Sequence, residues 1–404
     1  MTQAGKGAFS WLAGETADRG NFSRLMQELA MQSRNQPYEP AFDHIRAFAA
    51  VLILCYHSFQ HMSGFMTHGS GFQESDRVLT HNPLFALLLE GHTAVGLFIV
   101  LSGFLFTRSA IGKHVDYRSF VRNRILRIYP LYLLLVVVVL ATNPQLTLQS
   151  LVLVILPTGY MPAVQSMGVV GSLFWAVGVE FQFYLIFPFL MRMLETRGIR
   201  PLLALIAFAI LIRYGMTYQG ANIRDISYWT SVGRIDQFLI GMMAAKLCVD
   251  RPALAARFGW FFVPSVLVVL AVIYGFHALG GWPSVASWKG VWPTIEGLVW
   301  AMFICAYVPV AKRIPQLLSR GLSRIGEVSY STYLLHVSIL IVIGANGWFL
   351  RPTGVLKFDV LVTTLVVVLP VVLAVSALSY YAVEKPFLGM RAKYTTPRDE
   401  SVGI

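Results

Sequence analysis

The stretch IRAFAAVLILCYH, residues 45–57, carries two ionisable side chains inside an otherwise apolar run. Arg46 and His57 are eleven residues apart. That is almost three helical turns, so both side chains project from one face, about 16 Å apart along the axis. An ionisable residue within a membrane helix is costly, and it usually faces a polar cavity, a partner or a substrate. The stretch therefore predicts a membrane helix with one chemically active face.

Composition extends that reading to the whole chain. Hydrophobic residues make up 56% of the 404 and charged residues 13%, against about 25% charged in soluble domains. Apolar runs fall near residues 45–62, 84–107, 128–142, 172–194, 201–217, 230–249, 259–277, 294–311, 328–347 and 359–383. Each is about the length that crosses a bilayer. The expected fold is an all-α polytopic membrane protein of about ten transmembrane helices. A weaker run at 149–162, interrupted by Pro157 and Gly159, is expected to be re-entrant or interfacial. The expected organisation is a polar cytoplasmic extension over 1–40, a membrane domain over 41–390 and a cytoplasmic tail over 391–404. Within the extension, FSRLMQELAMQ has the pattern of a short surface helix. No cleavable leader is read at the N-terminus.

The net charge of +12 invites a nucleic-acid partner, but the positive-inside rule accounts for it better. With both termini cytoplasmic and ten spans, cytoplasmic segments hold 24 of the 32 Lys and Arg, and outer loops only 5. A crossing at 149–162 would reverse every later loop and erase that bias. Cys55, Cys248 and Cys305 lie in or beside apolar runs without metal-ligand spacing, and read as packing residues. His57 and His61 are at i, i+4, yet no acidic residue of the zincin type lies between them, so no metal is expected.

The chemistry-bearing residues cluster by segment. Glu180 and Tyr184 share a face in GSLFWAVGVEFQFYLIFP, residues 171–188. A buried carboxylate beside a buried imidazole makes an acid/base pair, so His57 and Glu180 are the catalytic candidates. A structural ion pair between two helices is the alternative. The segment DYRSFVRNRILRIYP, residues 116–130, reads as a basic loop leading into the third span. Its arginines fit either positive-inside charge or a cradle for a phosphate-bearing donor. Arg46, Arg124 and Arg127 are the donor-facing candidates, with Ser102 beside Gly103 in the second span. Arg234 and Asp236 read as an opposite-charge pair at the outer end of the sixth span, structural or acceptor-binding. His336 is a lone intramembrane histidine, and Glu384 ends the last span.

Seven blocks in order, FDHIRAFAAVLILCYH, GLFIVLSGFLFTR, YRSFVRNRILRIYPLY, SLFWAVGVEFQFYLIFP, GRIDQFLIGMMAA, VSYSTYLLH and VEKP, resemble the acyltransferase-3 family of bacterial membrane proteins. Arg46 and His57 look like that family's arginine–histidine motif, and the segment around Glu180 like its tryptophan-to-tyrosine block. Ala176 and Phe181 depart from the family's usual Ser and second acid. The resemblance implies transfer of an acyl group, most commonly acetyl, from cytoplasmic acyl-CoA to a hydroxyl of an envelope or exported polysaccharide or its lipid-linked precursor. On that reading His57 acts as general base or carries the acyl group transiently, with Glu180 supporting it. The resemblance also implies acetyl-CoA as donor substrate with no bound cofactor, and a multi-pass place in the bacterial inner membrane among lipids and polysaccharide-building machinery. Two alternatives remain at this stage: a small lipophilic or antibiotic-like acceptor, and a transporter of a lipid-linked sugar.

Overall fold

The computed structural model describes residues 38–397, apart from 74–75, 143–146, 160 and 172. The expected surface helix within 1–40 lies outside these residues.

Apolar periodicity and well-placed caps give an almost wholly helical chain. The principal helices are α1 (Pro40–His68), α2 (Pro83–Leu89), α3 (Thr93–Ala110), α4 (Tyr117–Thr142), α5 (Leu148–Ile155), α6 (Met161–Ser166), α7 (Phe174–Arg197) and α8 (Arg200–Tyr218). Then follow α9 (Ile223–Trp229), α10 (Ser231–Asp250), α11 (Pro252–Ala278), α12 (Trp292–Ala311), α13 (Gln316–Glu327), α14 (Ser329–Ala345) and α15 (Leu356–Leu388). Among the described residues, seven helices are each long and apolar enough to cross a membrane: α3, α4, α7, α8, α11, α12 and α15. The pair α13 and α14, bent by 66°, makes an eighth candidate. The two remaining apolar runs form α1, of 29 residues, and α10, of 20. They are the helices whose apolar character is diluted by Arg46, His57 and His61, and by Arg234 and Asp236.

Two segments depart from expectation, and a third, 149–162, is interrupted where Pro157 and Gly159 suggest. The run 84–107 is broken: α2 ends at Leu89, the chain turns through Glu90–His92, and α3 begins at Thr93. Gly91 allows the turn, since a Cβ there would press on the Leu52 carbonyl of α1. The arginines of 116–130 do not lie in a loop. Asp116 caps the Ser119 N–H at 2.9 Å, and α4 starts at Tyr117, so these arginines occupy its first three turns. The run 149–162 forms the short helices α5 and α6 around a turn at Pro157–Gly159. Its exposed carbonyls are covered by protein: Tyr132 donates to Val154 O, Tyr129 to Ile155 O and Gln182 to Thr158 O. Irregular backbone within a membrane domain requires that kind of cover.

Glycines set the closest helix contact. A Cβ on Gly103 would collide with the Phe238 carbonyl, and one on Gly241 with the Val100 carbonyl, so α3 and α10 pack backbone to backbone. At one end of the bundle Glu39 pairs with Arg108 at 2.6 Å, joining the start of α1 to the end of α3. At that same end β1 (Lys113–Val115) pairs antiparallel with β2 (Thr395–Pro397). Asn123 also bonds both ways with Ala392. Arg46, the α4 arginines and the end of α15 therefore share one end of the molecule. Three cysteines are free thiols, and Cys248 and Cys305 bring their sulfurs to 3.5 Å between α10 and α12.

Candidate active site

His57 meets a second histidine. Its Nδ1 lies 2.9 Å from His336 Nε2, and His336 Nδ1 lies 2.9 Å from the Thr332 carbonyl. A carbonyl only accepts, so His336 carries its proton on Nδ1 and accepts at Nε2. His57 in turn donates from Nδ1, which leaves the lone pair on its Nε2 unengaged. Thr332 and His336 of α14 thus fix the tautomer of a histidine on α1. Tyr56 and His61 pack against the His57 ring, with centroids at 4.9 and 6.4 Å.

Glu180 is placed elsewhere than expected. Among the described residues it forms no hydrogen bond to His57; it accepts from Ser102 Oγ at 2.6 Å, joining α7 to α3. On α14 the Tyr333 ring is 6.1 Å from that of His336. Ser102 and Glu180 both keep accessible surface. Helix α3 as a whole is 83% buried. Tyr184, one turn beyond Glu180, sits under the Arg124 guanidinium with Phe106 and Phe120.

The candidate donor arginines differ in their commitments. Arg46 pairs with Asp43 at 2.5 Å on its own helix. Arg127 pairs with Glu384 at 3.3 Å, and the fully buried Glu384 also accepts from Ser331. Arg124 has no acidic partner among the described residues; it stacks on three rings, and its buried Nε bonds to nothing. Arg118 and Arg122 are exposed.

Arg234 and Asp236 are not partners, which corrects the sequence expectation. Arg234 Nη1 donates to Glu296 at 3.0 Å, its Nε to the Tyr228 carbonyl, and its plane lies 4.3 Å over the Tyr228 ring. Asp236 is gripped by both terminal nitrogens of Arg213, at 3.1 and 2.7 Å. Residues two apart on a helix point to opposite sides, so each seeks a different neighbour.

The end of the bundle opposite the arginines holds a network that the sequence reading missed. Glu90 accepts from Arg77 at 3.0 Å, His277 at 2.7 Å and His92 at 3.1 Å. Glu296 accepts from Thr93, Gln237 and Arg234. Lys289 donates to the Gly281 and Trp282 carbonyls, and burial pushes its ammonium down to about 7 against the pull of Glu90 and Glu296. Beside this network opens a cleft bordered by Tyr56, Gln60, Arg77, Glu90 and Trp282. Glu90 had been absorbed into an apolar run. Its single acidic position there was the available signal.

A sequence model of the family described as "Acyltransferase domain" matches residues 39–381. The chain belongs to the acyltransferase-3 family. Its membrane helices are thus an acyltransferase domain. The chain is 24% identical to the O-acetyltransferase OatA of Staphylococcus aureus strain MRSA252, over 90% of this chain and 60% of that protein. It is 27% identical to the candidate membrane-bound transacylase BcsY of Komagataeibacter xylinus, over 74% of this chain and 76% of the relative. A candidate acetyltransferase, ORF330 of Acidianus two-tailed virus, is 22% identical over 80% of this chain and 89% of its own length. The chain spans only about 60% of the length of OatA. No solved structure matches.

Proposed function

We propose that this chain is a membrane O-acyltransferase that moves an acyl group, most simply acetyl, from acyl-CoA to a hydroxyl of an envelope or exported polysaccharide or its lipid-linked precursor. The observation that carries the reading is the fixed tautomer of His57. With Nδ1 donating to His336, the Nε2 lone pair is free to take a proton from an attacking hydroxyl. The hydroxyl oxygen then bonds to the thioester carbonyl carbon, the carbon–sulfur bond breaks, and the Nε2 proton passes to the departing thiolate. His336 holds the ring as a carboxylate does in a hydrolase triad, without adding a charge to the interior.

The donor enters at the end that carries Arg46, Arg124 and Arg127, which the positive-inside rule assigns to the cytoplasm of a bacterial inner membrane. Arg124 is the readiest phosphate ligand because no carboxylate occupies it; Arg46 and Arg127 exchange Asp43 and Glu384 for phosphate oxygens. On this reading Ser102 and Glu180 lie along the donor's path from that end to His57. The acceptor reaches His57 from the opposite cleft, where Tyr56 and Gln60 lie on the same helix turns as the histidine. A chain acting on envelope glycans works beside the machinery that builds them. The relatives' names support acyl transfer, and the cleft at the opposite end offers an acceptor a way in.

The test uses purified protein in lipid nanodiscs with labelled acetyl-CoA and neutral glycans. Transfer by folded His57→Gln should fall by about 10²–10⁴-fold. Transfer at the wild-type rate by that variant overturns the mechanism.

A further inference from the structure

Helix α13 has its apolar side on the wrong face for a helix that packs only on protein. At about 100° per residue, Ser319, Ser323 and Gly326 form its inner sector. Ser319 meets His44 Nε2 through both its carbonyl, at 3.1 Å, and its hydroxyl, at 3.0 Å. Gly326 lies so close to α1 that a Cβ would collide with the Asp43 carbonyl. The outer sector carries Leu317, 85% exposed, and Leu318, 56% exposed, with Leu322 and Ile325 half-buried beside them. Small polar residues inward and leucines outward mean that the apolar sector faces something other than this chain.

Charge identifies that environment. Arg320 and Arg324 lie at the edge of the leucine sector, and Lys312 and Arg313 precede the helix; all four are exposed. Among the described residues none has an acidic partner, whereas Arg46, Arg108 and Arg127 at the same end each do. The helix's own acid, Glu327, is turned inward to the Tyr380 hydroxyl at 2.8 Å. The 66° bend from α14 lays α13 across the bundle end and not along it. An amphipathic helix in that attitude, with basic residues rimming an apolar face, sits at the headgroup boundary of a bilayer.

We infer that α13 is an anionic-phospholipid site: Leu317 and Leu318 insert among acyl chains, and Lys312, Arg313, Arg320 and Arg324 hold headgroup phosphates. The inner sector grips α1 at Asp43 and His44, so lipid that seats α13 also seats the turn carrying Arg46. This goes beyond the acyl-transfer reading and does not depend on it.

Photo-crosslinking in nanodiscs tests it, with photoactivatable phosphatidylglycerol and photoactivatable phosphatidylcholine as probes. Label from phosphatidylglycerol should concentrate in residues 312–327. Each Arg→Gln change at Arg320 or Arg324 should lower it by about fivefold relative to phosphatidylcholine, at an unchanged melting temperature. Leu317→Ser with Leu318→Ser should lower labelling by both lipids. Equal labelling by the two lipids, or labelling insensitive to the arginine changes, overturns the inference. Displacement of the lipid label by soluble 3′-phospho-ADP overturns it too, because the basic patch would then be a donor-phosphate site.

Discussion

A tautomer is the smallest unit of this site. On the proposed mechanism, His57 can act as a base only while His336 accepts from its Nδ1, and His336 accepts only while the Thr332 carbonyl takes its own proton. His336→Phe should lower kcat for acyl transfer by about 10²-fold or more while leaving the KM for acyl-CoA unchanged; a change confined to KM would count against this role. Elsewhere the buried residues hold structure. Arg213 and Asp236, both fully buried, pair with each other, and Asp236→Ala strands a guanidinium. It should destabilise the protein by about 3–5 kcal/mol, read as a lower melting temperature. Lys289 adds a pH dependence. Its folded pKa of about 7 lies below the unfolded value near 10.5, so between those values the unfolded chain binds more protons and stability rises with pH. The melting-temperature difference between wild type and Lys289→Met should therefore grow from pH 7 towards 10. At this scale Arg46, His57, Glu180 and His336 were legible as costly residues in apolar surroundings. Their partners were not, because spacing along one helix says nothing about which side chain arrives from another.

Helices were the most readable elements, and their ends the least. All ten apolar runs are helical, yet the run at 84–107 is split at Glu90 and the basic stretch before 128 is helix from Tyr117. Glu90 breaks its run because His277, His92 and Arg77 converge on it, and those residues come from distant or flanking segments. The helix at Tyr117 follows from Asp116 as a cap, a local signal outweighed in the reading by the density of arginine. Between elements, Gly103 and Gly241 bring α3 and α10 together backbone to backbone. Gly241→Ala forces a methyl against the Val100 carbonyl, so it should cost about 1–3 kcal/mol. Unchanged thermal stability of that variant would show that the two helices can separate freely.

For the molecule as a whole, the positive-inside count predicts the orientation of the two ends. In a background with Cys55, Cys248 and Cys305 changed to Ser, a membrane-impermeant maleimide should label Val285→Cys in intact cells. It should reach Arg118→Cys only after permeabilisation; the reverse pattern would invert the donor and acceptor sides. Composition and run length were sufficient for a helical membrane protein, and the Arg46–His57 spacing for two costly residues on one face of its first long helix. Those properties are local, since a chain segment carries its own hydropathy and its own 3.6-residue period wherever it is placed. Which side chains meet was decided only by the tertiary packing. It set His57 on His336 and not on Glu180, gave Arg234 and Asp236 separate partners, and gathered Glu90, Arg77 and His277 into one network. Such pairs join helices distant in sequence, and their geometry exists only once those helices have packed.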